Sequence, residues 1–413
     1  MPPNQEGNSP KINMSTSKRI LPVPFDEDTL KHGKLLKEKF SDFLPEDIRT
    51  DFHMARWVRM YKGNEELIES KLKEYIRHRK SFDYEGSKII KQCQKLEFAQ
   101  TVWDKFSISK LEQTDYSGDV AVFLQRMEGT DLKEIIKTVP YYHILHSYFL
   151  LQECMQRAIL IKEKETGRQS AAIIILDLHG INLGDFVNPL SNPTKLARIV
   201  VKIWSDYFTE NMVKLILVRP PGILSIMWQL AKYILDEKTA GQIEFVQKYE
   251  ELKDYVDESV IPKLFGGTRI DNTGWSETPE SCVKAPRKVT QDLYYNSEKI
   301  FKKHGFEKIP PLKSISIKNK HTESVIIKGK VGQKIIWHYM TSNELIFDVL
   351  IKENGTLHLN EDIPIIPGVY GTCLKLPEQG VIDVVKDGEY HFRWTNPHKG
   401  WLAAKVQYAI VCK

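Results

Sequence analysis

The 413-residue sequence predicts a multidomain protein in which a helical lobe and an α/β domain are followed by an all-β domain. Three observations predict this fold class. Apolar residues recur with a helical period from about residue 25 to residue 106, strand and helix patterns then alternate as far as residue 236, and beyond residue 311 apolar and polar residues alternate with a period of two. We therefore expect a largely parallel sheet in the middle of the chain and an antiparallel β-sandwich at its C-terminal end.

Residues 1–24 are rich in Pro, Asn, Ser and Lys, and we expect a disordered tail there. Residues 25–110 should form the helical lobe. Asn64 is placed to cap one helix of this lobe, whose apolar face carries Leu67, Ile68, Leu72, Tyr75 and Ile76. The basic residues of the lobe are interpreted mainly as a solvated face: Arg56, Arg59, Lys62, Arg77, Arg79 and Lys80.

Residues 111–272 carry the alternating strand and helix patterns. Strands are predicted at Val120–Gln125, Ala172–Leu178 and Leu215–Val218, and the second is the strongest signal because it is short, continuous and β-branched. Helices are predicted at Leu132–Lys137, Tyr142–Lys164 and Thr194–Tyr207. This order predicts a parallel sheet with right-handed crossovers.

The segment Leu215–Asp236 changes from a strand to an unusually apolar helix. A Pro-Pro-Gly sequence at residues 220–222 ends the strand, and ten of the thirteen residues in Ile223–Leu235 are apolar. The polar residues are spaced by four and three, so they form one ridge: Ser225, Gln229 and Lys232. The helix is either a core helix or a lid over a lipid-sized cavity, and it is too short for a membrane span of about 20 residues.

Residues 273–311 mix Pro, Ser, Lys and Asp and are interpreted as a connector with a weak helical pattern at Leu293–Phe301. Residues 312–413 alternate clearly at Leu345–Ile351 and at Tyr390–Trp394. The pairs Asn354-Gly355, Pro367-Gly368 and Asp387-Gly388 are interpreted as turns between short strands. They predict a separate, jelly-roll-like sandwich of about eight antiparallel strands.

Composition limits the classes of function. The 59 basic and 54 acidic residues are spread along the chain and give a net charge of +5, which argues against a nucleic-acid-binding protein. Five widely spaced cysteines without a CxxC pair favour a reduced, cytoplasmic protein without structural zinc. No signal peptide is recognised, so membrane contact should be peripheral.

The search for catalytic motifs is negative. The sequence contains no GxSxG, GxxxxGK[ST] or HExxH motif and no GxGxxG after a strand, and its twelve histidines form no metal-ligand pattern. Asp177 and His179 end the strongest strand, but no plausible nucleophile accompanies them, so a structural turn is preferred over a catalytic site. We expect a non-enzymatic protein without catalytic residues, metals or cofactors.

Four segments carry a family resemblance: Arg56–Lys80, Ile173–Ile181, Tyr207–Ile223 and Val260–Asp271. Their sequences, order and spacing across residues 28–272 resemble the CRAL-TRIO lipid-binding family, which includes phosphatidylinositol transfer proteins and tocopherol-binding proteins. The resemblance implies that the sheet is the floor of a hydrophobic cavity and that the helix after the proline-rich turn is a movable gate. The apolar gate residues would then be Ile223, Ile226, Met227, Leu230 and Ile234.

The resemblance also implies a lipid headgroup site. Glu210 matches a glutamate that organises the headgroup network, Lys62 a lysine after the arginine-rich helix, and Thr239 a threonine near the phosphate. Gln242 is a departure because members that bind phosphatidylinositol have lysine there, and Tyr61 stands where a basic residue is common. A charge-assisted contact is about twice as strong as a neutral one, so phosphatidylinositol is not assumed. Solvated surface charges are the alternative for Glu210 and Lys62.

Three C-terminal segments carry a second resemblance: Gly332–Ile351, Gly388–Asn396 and the terminal AKVQYAIVCK. They are similar to the Golgi dynamics (GOLD) domain that follows CRAL-TRIO domains in some animal proteins, which implies protein interaction in trafficking or signalling. Trp394, His398 and Trp401 could form an interaction surface, although aromatic residues in a small sandwich more often form its core.

Two functional hypotheses follow. The first is a lipid exchange protein that carries a phospholipid or another lipophilic molecule between membranes and uses the sandwich for protein interaction. The second is a lipid-sensing adaptor in a signalling or vesicle-trafficking complex, in which the bound lipid controls what the sandwich binds. Both hypotheses predict a bound lipid, a cytoplasmic protein with transient peripheral membrane contact, an unidentified protein partner and no nucleic acid.

Overall fold

The computed structural model describes residues 18–82, 84, 89, 97–181, 183–186, 188, 190–222, 224, 240–361, 364–400 and 402–413. The first of these residues already contact the folded chain. Ile20 is buried, and its backbone N–H donates to the Tyr255 carbonyl oxygen over 3.0 Å. The prediction of a disordered tail is therefore wrong for residues 18–24, because the Ile20 side chain joins the core beneath the central sheet.

The N-terminal lobe contains the helices α1 (Glu27–Lys39), α2 (Asp51–Met60), α3 (Glu65–Ser81) and α4 (Glu97–Trp103). Asn64 caps α3, as predicted, because its side chain accepts a hydrogen bond from the Leu67 N–H over 3.1 Å. The buried faces of the first three helices contribute Leu36, Trp57 and Ile68 to one continuous core.

Arg56 and Arg79 contradict the interpretation of a solvated basic face. Arg56 is 3% exposed and forms an ion pair with Glu163, whereas Arg79 is fully buried and donates to Asp47 Oδ2 over 2.6 Å. Both arginines face the helix Tyr141–Thr166 of the α/β domain, since Arg56 pairs with Glu163 and Arg79 also pairs with Glu153 over 3.4 Å. A buried cation is stable only with such a partner, and the apolar pattern of a helix does not reveal a partner that is distant in sequence.

Six strands form the central sheet within the described residues. They are β1 (Ser107–Ile108), β2 (Asp115–Ser117), β3 (Val120–Arg126), β4 (Ala171–Asp177), β5 (Met212–Val218) and β6 (Ile243–Val246). The last four run parallel in the order β3-β4-β5-β6, which confirms the predicted parallel sheet, although β6 was not predicted as a strand. β1 and β2 pair with β3 in the antiparallel direction.

The connections between the parallel strands contain α5 (Leu132–Ile135), α6 (Tyr141–Thr166) and α7 (Asn192–Tyr207). α6 ends at Gly167, whose φ of 68° is a left-handed conformation that glycine adopts without strain. Residues of α6 and α7 pack on one face of the sheet. The 3₁₀ turns at Tyr249–Asp254 and Lys263–Phe265 cover the other face.

The C-terminal β-sandwich is built from β7 (Lys313–Ile317), β8 (Thr322–Gly329), β9 (Lys334–Met340), β10 (Leu345–Glu353), β11 (Ile366–Gly371), β12 (Glu378–Asp383), β13 (Gly388–Thr395) and β14 (Ala404–Cys412). In the described chain these strands form two antiparallel four-stranded sheets, β11-β10-β13-β8 and β12-β9-β14-β7, which confirms the predicted sandwich. Pro367-Gly368 was predicted to be a turn, and this is wrong because the pair lies inside β11. β11 is an edge strand, where the missing N–H of proline is tolerated.

The segment between the two domains packs against the α/β domain. Val283 is buried and forms an isolated bridge with Ser109, and the Lys284 N–H donates to the Ile108 carbonyl oxygen over 3.0 Å. The short helix α8 (Lys299–Lys303) buries Phe301. The helix predicted at Leu293–Phe301 is thus shorter and begins later than expected.

The sandwich contacts the helices directly. The Tyr142 N–H, at the start of α6, donates to Glu378 Oε2 over 3.1 Å. Arg198 of α7 forms an ion pair with Glu344 over 2.8 Å. At Gly371 a Cβ atom would lie 2.0 Å from the Tyr141 ring, so the close approach of β11 to α6 requires glycine.

Candidate functional site

The two faces of the central sheet differ in burial. On one face Ile173, Ile175 and Ile216 are completely buried in the core beneath the 3₁₀ turns. On the other face the strand register aligns two apolar rows: Phe123, Ile174, Leu215 and Ile243 in the first, and Leu176, Leu217 and Phe245 in the second. Apart from Phe123 and Leu217, the side chains in these rows are only partly buried. α6 and α7 pack on this same side of the sheet near Phe123 and Ile174, and we call the surface formed by the two rows the open face.

Asp177 lies at the C-terminal edge of the sheet in a charged cluster. Its buried carboxylate accepts hydrogen bonds from Arg219 Nη2 over 2.6 Å and from the Tyr249 hydroxyl over 2.8 Å. Burial alone would raise the pKa of Asp177, but the hydrogen bonds from Arg219 and Tyr249 hold it below its usual value. Asp177 also accepts from the His179 N–H over 3.1 Å, which is the geometry of a structural turn.

Glu210 lies at the opposite edge, in the 3₁₀ turn Thr209–Asn211 between α7 and β5. Its side chain is 3% exposed, and its Oε2 accepts a hydrogen bond from Arg59 Nε over 2.5 Å. Burial, and secondarily the charge of Arg56, lower the pKa of Arg59 to about 10, so it remains protonated at neutral pH. The Glu210 carboxylate is therefore buried and paired, and the solvated alternative is wrong for this residue.

Gln242 lies at the same edge as Glu210, immediately before β6. Its Nε2 donates to the Met212 carbonyl oxygen over 2.8 Å, two residues beyond Glu210. Its Oε1 is buried and has no hydrogen-bond partner in the part of the chain that the structure describes. Lys62 is exposed, with a φ of 51°, and follows the helix that supplies Arg59. The structure thus places Glu210 and Gln242 at the same edge of the sheet, whereas Lys62 is exposed at the surface.

Several predicted residues lie outside the described residues: Ile223, Ile226, Met227, Leu230 and Ile234 of the gate, and also Thr239 and Trp401. Of the two alternatives for Trp394, the structure supports a core residue and not an interaction surface, because its side chain is 1% exposed. Alternate residues of β13 point into the sandwich, and Trp394 is one of them. His398 is exposed, and its Nε2 lies 3.0 Å from the Glu344 carbonyl oxygen.

A cavity of about 580 Å³ lies between the helices and the sandwich. Its walls include Phe149 of α6, Ile203 of α7 and, from the sandwich, Tyr370 and His398. Its volume is in the range of small-molecule sites. His398 therefore lies at a contact between the two domains.

Comparison with protein families decides the nature of the central domain. The model that describes the CRAL/TRIO domain matches residues 111–267. These residues form a CRAL/TRIO domain. Members of this family typically bind lipophilic ligands and transfer them. The match ends at residue 267, so the resemblance of the C-terminal sandwich to a GOLD domain remains a prediction.

Two relatives are similar to most of the length of this chain. The CRAL-TRIO domain-containing protein C34C12.6 of Caenorhabditis elegans is 28% identical over 383 residues, which cover 91% of this chain and 93% of that protein. Another C. elegans relative, F28H7.8, is 22% identical over 94% of this chain and 92% of its own length. The phosphatidylinositol/phosphatidylcholine transfer protein SFH11 of Arabidopsis thaliana is 23% identical over 35% of this chain and 39% of that protein. The crystal structure of Sfh5 covers 68% of this chain and 99% of that one with a TM-score of 0.37 and 13% identity.

Sequence reasoning missed Arg59 as the partner of Glu210 and placed it on a solvated face instead. The two residues are 151 positions apart, and no local pattern links them.

In the described ranges no helix combines the length and the apolar character that a membrane span needs.

Proposed function

We propose that this protein binds a lipophilic ligand on the open face of its central sheet and exchanges that ligand with membranes. The observation that carries the proposal is the pair of partly buried apolar rows within a CRAL/TRIO domain. Removing apolar surface from water gains about 25 cal/mol per Å², so such a face favours an apolar ligand. The names of relatives such as the phosphatidylinositol/phosphatidylcholine transfer protein SFH11 support the same class of function.

The energetics of exchange require no chemical energy source. Burying two acyl chains with some thirty methylenes gains on the order of 25 kcal/mol, at about 0.8 kcal/mol for each CH₂. A bilayer provides nearly the same gain, so transfer from membrane to protein is close to thermoneutral. The main barrier is the passage of the lipid through water, which a protein that opens at the membrane surface lowers.

The gate is proposed from the sequence of Ile223–Leu235. We expect the double substitution Ile226→Asp and Met227→Asp to slow lipid transfer between vesicles by more than about tenfold, because it places two charges on an apolar helix face. Gln229→Asp with Lys232→Asp, on the polar ridge of the same helix, is the matched control. Equal transfer rates for both variants and the wild type would remove the gating role.

The headgroup preference is proposed to differ from that of the family members that have a lysine at the position of Gln242. An amide cannot neutralise a phosphate, and the Glu210 carboxylate at the same edge of the sheet is paired with Arg59. We therefore propose a phospholipid or another lipophilic molecule as the ligand, without a preference for phosphatidylinositol.

Native mass spectrometry tests the proposal directly. The protein is purified gently from a eukaryotic host and weighed before and after solvent extraction. A stoichiometric lipid that is lost on extraction supports the proposal and identifies the lipid class. A clean unliganded mass, together with no uptake from phosphatidylcholine vesicles, overturns it.

A lipid-sensing adaptor is the second candidate function. The contacts that favour it join the two domains: Tyr142 with Glu378, Arg198 with Glu344, and Tyr141 against Gly371. If lipid occupancy changes these contacts, amide hydrogen exchange in β11 and β12 should differ at least several-fold between the lipid-bound and lipid-free protein. Equal exchange rates in the two states would contradict the adaptor function.

The protein is proposed to act without catalysis. Asp177, the acidic residue at the C-terminal edge of the sheet, is held by Arg219 and Tyr249. Incubation with phospholipid and neutral lipid esters should therefore release no fatty acid, as measured by chromatography. Time-dependent product release that is lost on substitution of Asp177 would overturn this expectation.

A further inference from the structure

A second cavity, of about 420 Å³, lies at the C-terminal edge of the central sheet. The loops that follow β3 and β4 form part of its wall, and the segment that leads from the CRAL/TRIO domain to the sandwich forms another part. The residues that matter for its chemistry are Lys105, Met127, Lys133, Ile181, Arg287 and Lys288. Open α/β sheets bind ligands at this edge.

Lys105 is a buried cation in the wall of this cavity. It is 8% exposed, and its Nζ donates to the Thr101 carbonyl oxygen over 2.5 Å. Among the described residues no carboxylate lies within ion-pair distance of it, whereas Arg56 and Arg79 each have a carboxylate partner. Burial lowers the pKa of Lys105 and the charge of Arg287 adds to this effect, while Asp104 opposes it. A buried ammonium group without a counter-ion costs free energy that an anionic ligand would recover.

Two more cations lie at the mouth of the cavity. Arg287 and Lys288 are exposed, and neither forms an ion pair within the described part of the chain. The nearby acidic groups already have other partners. Asp104 pairs with Lys284 over 2.6 Å, the Asp131 side chain accepts from the Glu134 N–H over 3.1 Å, and Glu134 accepts from Lys137 and from the Tyr294 hydroxyl. The cavity therefore has an excess of positive charge.

The cavity shares two wall residues with the apolar cluster of the open face. Met127 and Ile181 line the cavity and also pack with Leu178 and Leu217 in the apolar cluster of the sheet. An elongated ligand on the open face can therefore reach the cations with one end. This edge is opposite to the one at which Glu210 and Gln242 lie.

We propose that this cavity is a phosphate-binding subsite, in which Lys105, Arg287 and Lys288 contact a phosphate monoester or diester. Planar guanidinium and ammonium donors suit phosphate oxygens, and each such contact is stronger than a neutral hydrogen bond. The phosphate belongs either to the headgroup of a bound phospholipid, in which case the inference rests on the proposed function, or to a small soluble phosphate ester.

The test compares two lipids that differ only in phosphate, and one soluble ester. Uptake of labelled phosphatidic acid and of diacylglycerol with the same acyl chains is measured from phosphatidylcholine vesicles, and binding of glycerol 3-phosphate is measured by calorimetry. The variants are Arg287→Gln with Lys288→Gln, which are exposed, and Lys105→Met, which retains the length of the buried side chain. Lys328→Gln with Lys330→Gln, exposed on the sandwich, is the control.

For a lipid headgroup, Lys105→Met should lose about tenfold in phosphatidic acid uptake, the effect of one charge-assisted contact, and the double variant, which removes two such contacts, should lose more than about tenfold. Diacylglycerol uptake should be unchanged in both variants. For a soluble ester, the wild type should bind glycerol 3-phosphate and the variants should bind it about tenfold more weakly, with equal uptake of both lipids. Equal behaviour of the wild type and the variants towards every probe, or a wild type that takes up neither phosphate compound, overturns the subsite. If the wild type takes up neither lipid but binds glycerol 3-phosphate, the proposed lipid function fails and the subsite stands.

Thermal unfolding of Lys105→Met separates a ligand-binding lysine from a structural one. Removal of a buried charge that has no counter-ion should leave the unfolding temperature of the unliganded protein unchanged or raise it. A lower unfolding temperature, with unchanged phosphatidic acid uptake, would make Lys105 a structural residue and overturn its assigned role.

Discussion

Asp177 and Glu378 are both buried carboxyl groups, but their surroundings are opposite. Asp177, at the C-terminal edge of the central sheet, contacts Arg219 and Tyr249, and its pKa lies below its usual value. Glu378, at the contact between the sandwich and α6, accepts from the Tyr142 N–H and has an Oε1 without a hydrogen-bond partner in the described part of the chain. Burial raises the pKa of Glu378 to about 8, although the N–H groups of Tyr142 and Tyr141 oppose this shift. The comparison teaches that the counter-charge, and not the depth of burial, decides whether a buried acid is ionised.

The buried cations differ in the same way. Arg56 forms an ion pair with the Glu163 carboxylate, whereas Lys105 donates to a backbone carbonyl oxygen and lines a cavity. Buried ion pairs such as Arg56–Glu163 join the lobe to the α/β domain. Removing one member of such a pair leaves the other buried charge without a counter-ion. Charges without a partner are sensitive to pH or to an arriving ligand.

Glu163→Gln should lower the free energy of unfolding by about 3–4 kcal/mol, because it leaves the buried Arg56 guanidinium without a counter-ion. Urea denaturation followed by circular dichroism measures the change. Glu165→Gln, an exposed position on the same helix, is the control and should change the free energy by less than about 0.5 kcal/mol. A small loss for Glu163→Gln would mean that the pair contributes little.

Asp177→Asn should lower the free energy of unfolding by about 2–3 kcal/mol at pH 7, because it weakens the contacts of Arg219 and Tyr249 with a buried carboxylate. The folded pKa of Asp177 is depressed, so its stabilisation is present above the unfolded pKa of about 3.9 and is lost as the pH falls through the folded pKa. The difference between the wild type and the variant should therefore shrink in acid. A difference that stays constant from pH 7 to pH 3 would contradict the ionised pair.

Glu378 should give the opposite pH dependence. Its folded pKa of about 8 lies above the unfolded value, so the stabilisation is complete below the unfolded pKa of about 4.3 and is lost as the pH rises towards 8. The wild type should lose about 2 kcal/mol between pH 6 and pH 8 relative to Glu378→Gln. The other titratable groups around Glu378 do not ionise in this window: Tyr141, Tyr142, Tyr295, Tyr339 and Cys373. Parallel stability curves for the wild type and the variant would show that the acid is ionised or solvated.

Gln242→Lys should have the smallest effect. It adds a cation at the edge of the sheet where the Glu210 carboxylate already has Arg59 as its partner. We expect phosphatidylinositol uptake to rise by about threefold to tenfold, with phosphatidylcholine uptake unchanged, in a vesicle transfer assay. Gln242→Met, of similar length and without charge, is the control. Unchanged phosphatidylinositol uptake would mean that this edge of the sheet does not contact the headgroup.

The period of the apolar residues was sufficient to predict the helices and strands in which buried positions recur regularly. The parallel strands, the cap at Asn64 and the alternating strands of the sandwich were predicted because the chemistry of each depends on neighbours within a few residues. Pro367-Gly368 shows the limit of this approach. The pair has the composition of a turn, but its position at the edge of a sheet makes a strand equally acceptable.

The candidate site was less predictable because its charges are paired over long distances. Arg56 and Glu163 are 107 residues apart, and Arg59 and Glu210 are 151 residues apart. Lys105 and Arg287 line the same cavity because the segment that follows the CRAL/TRIO match packs against the central domain. No local sequence pattern predicts this packing. The open face was predictable only in part, since the sequence shows which residues alternate but not which face the turns cover.

Helix α6 connects the C-terminal sandwich with the central sheet. Its 26 residues, about 39 Å at 1.5 Å per residue, begin at the Glu378 contact with the sandwich. Its last turns carry Glu163, which accepts from the Ser170 N–H just before β4, one of the strands of the open face. The helix therefore connects the sandwich at one end with the floor of the proposed ligand site at the other. A rotation of only about 3° at one end displaces the far end by about 2 Å over that length.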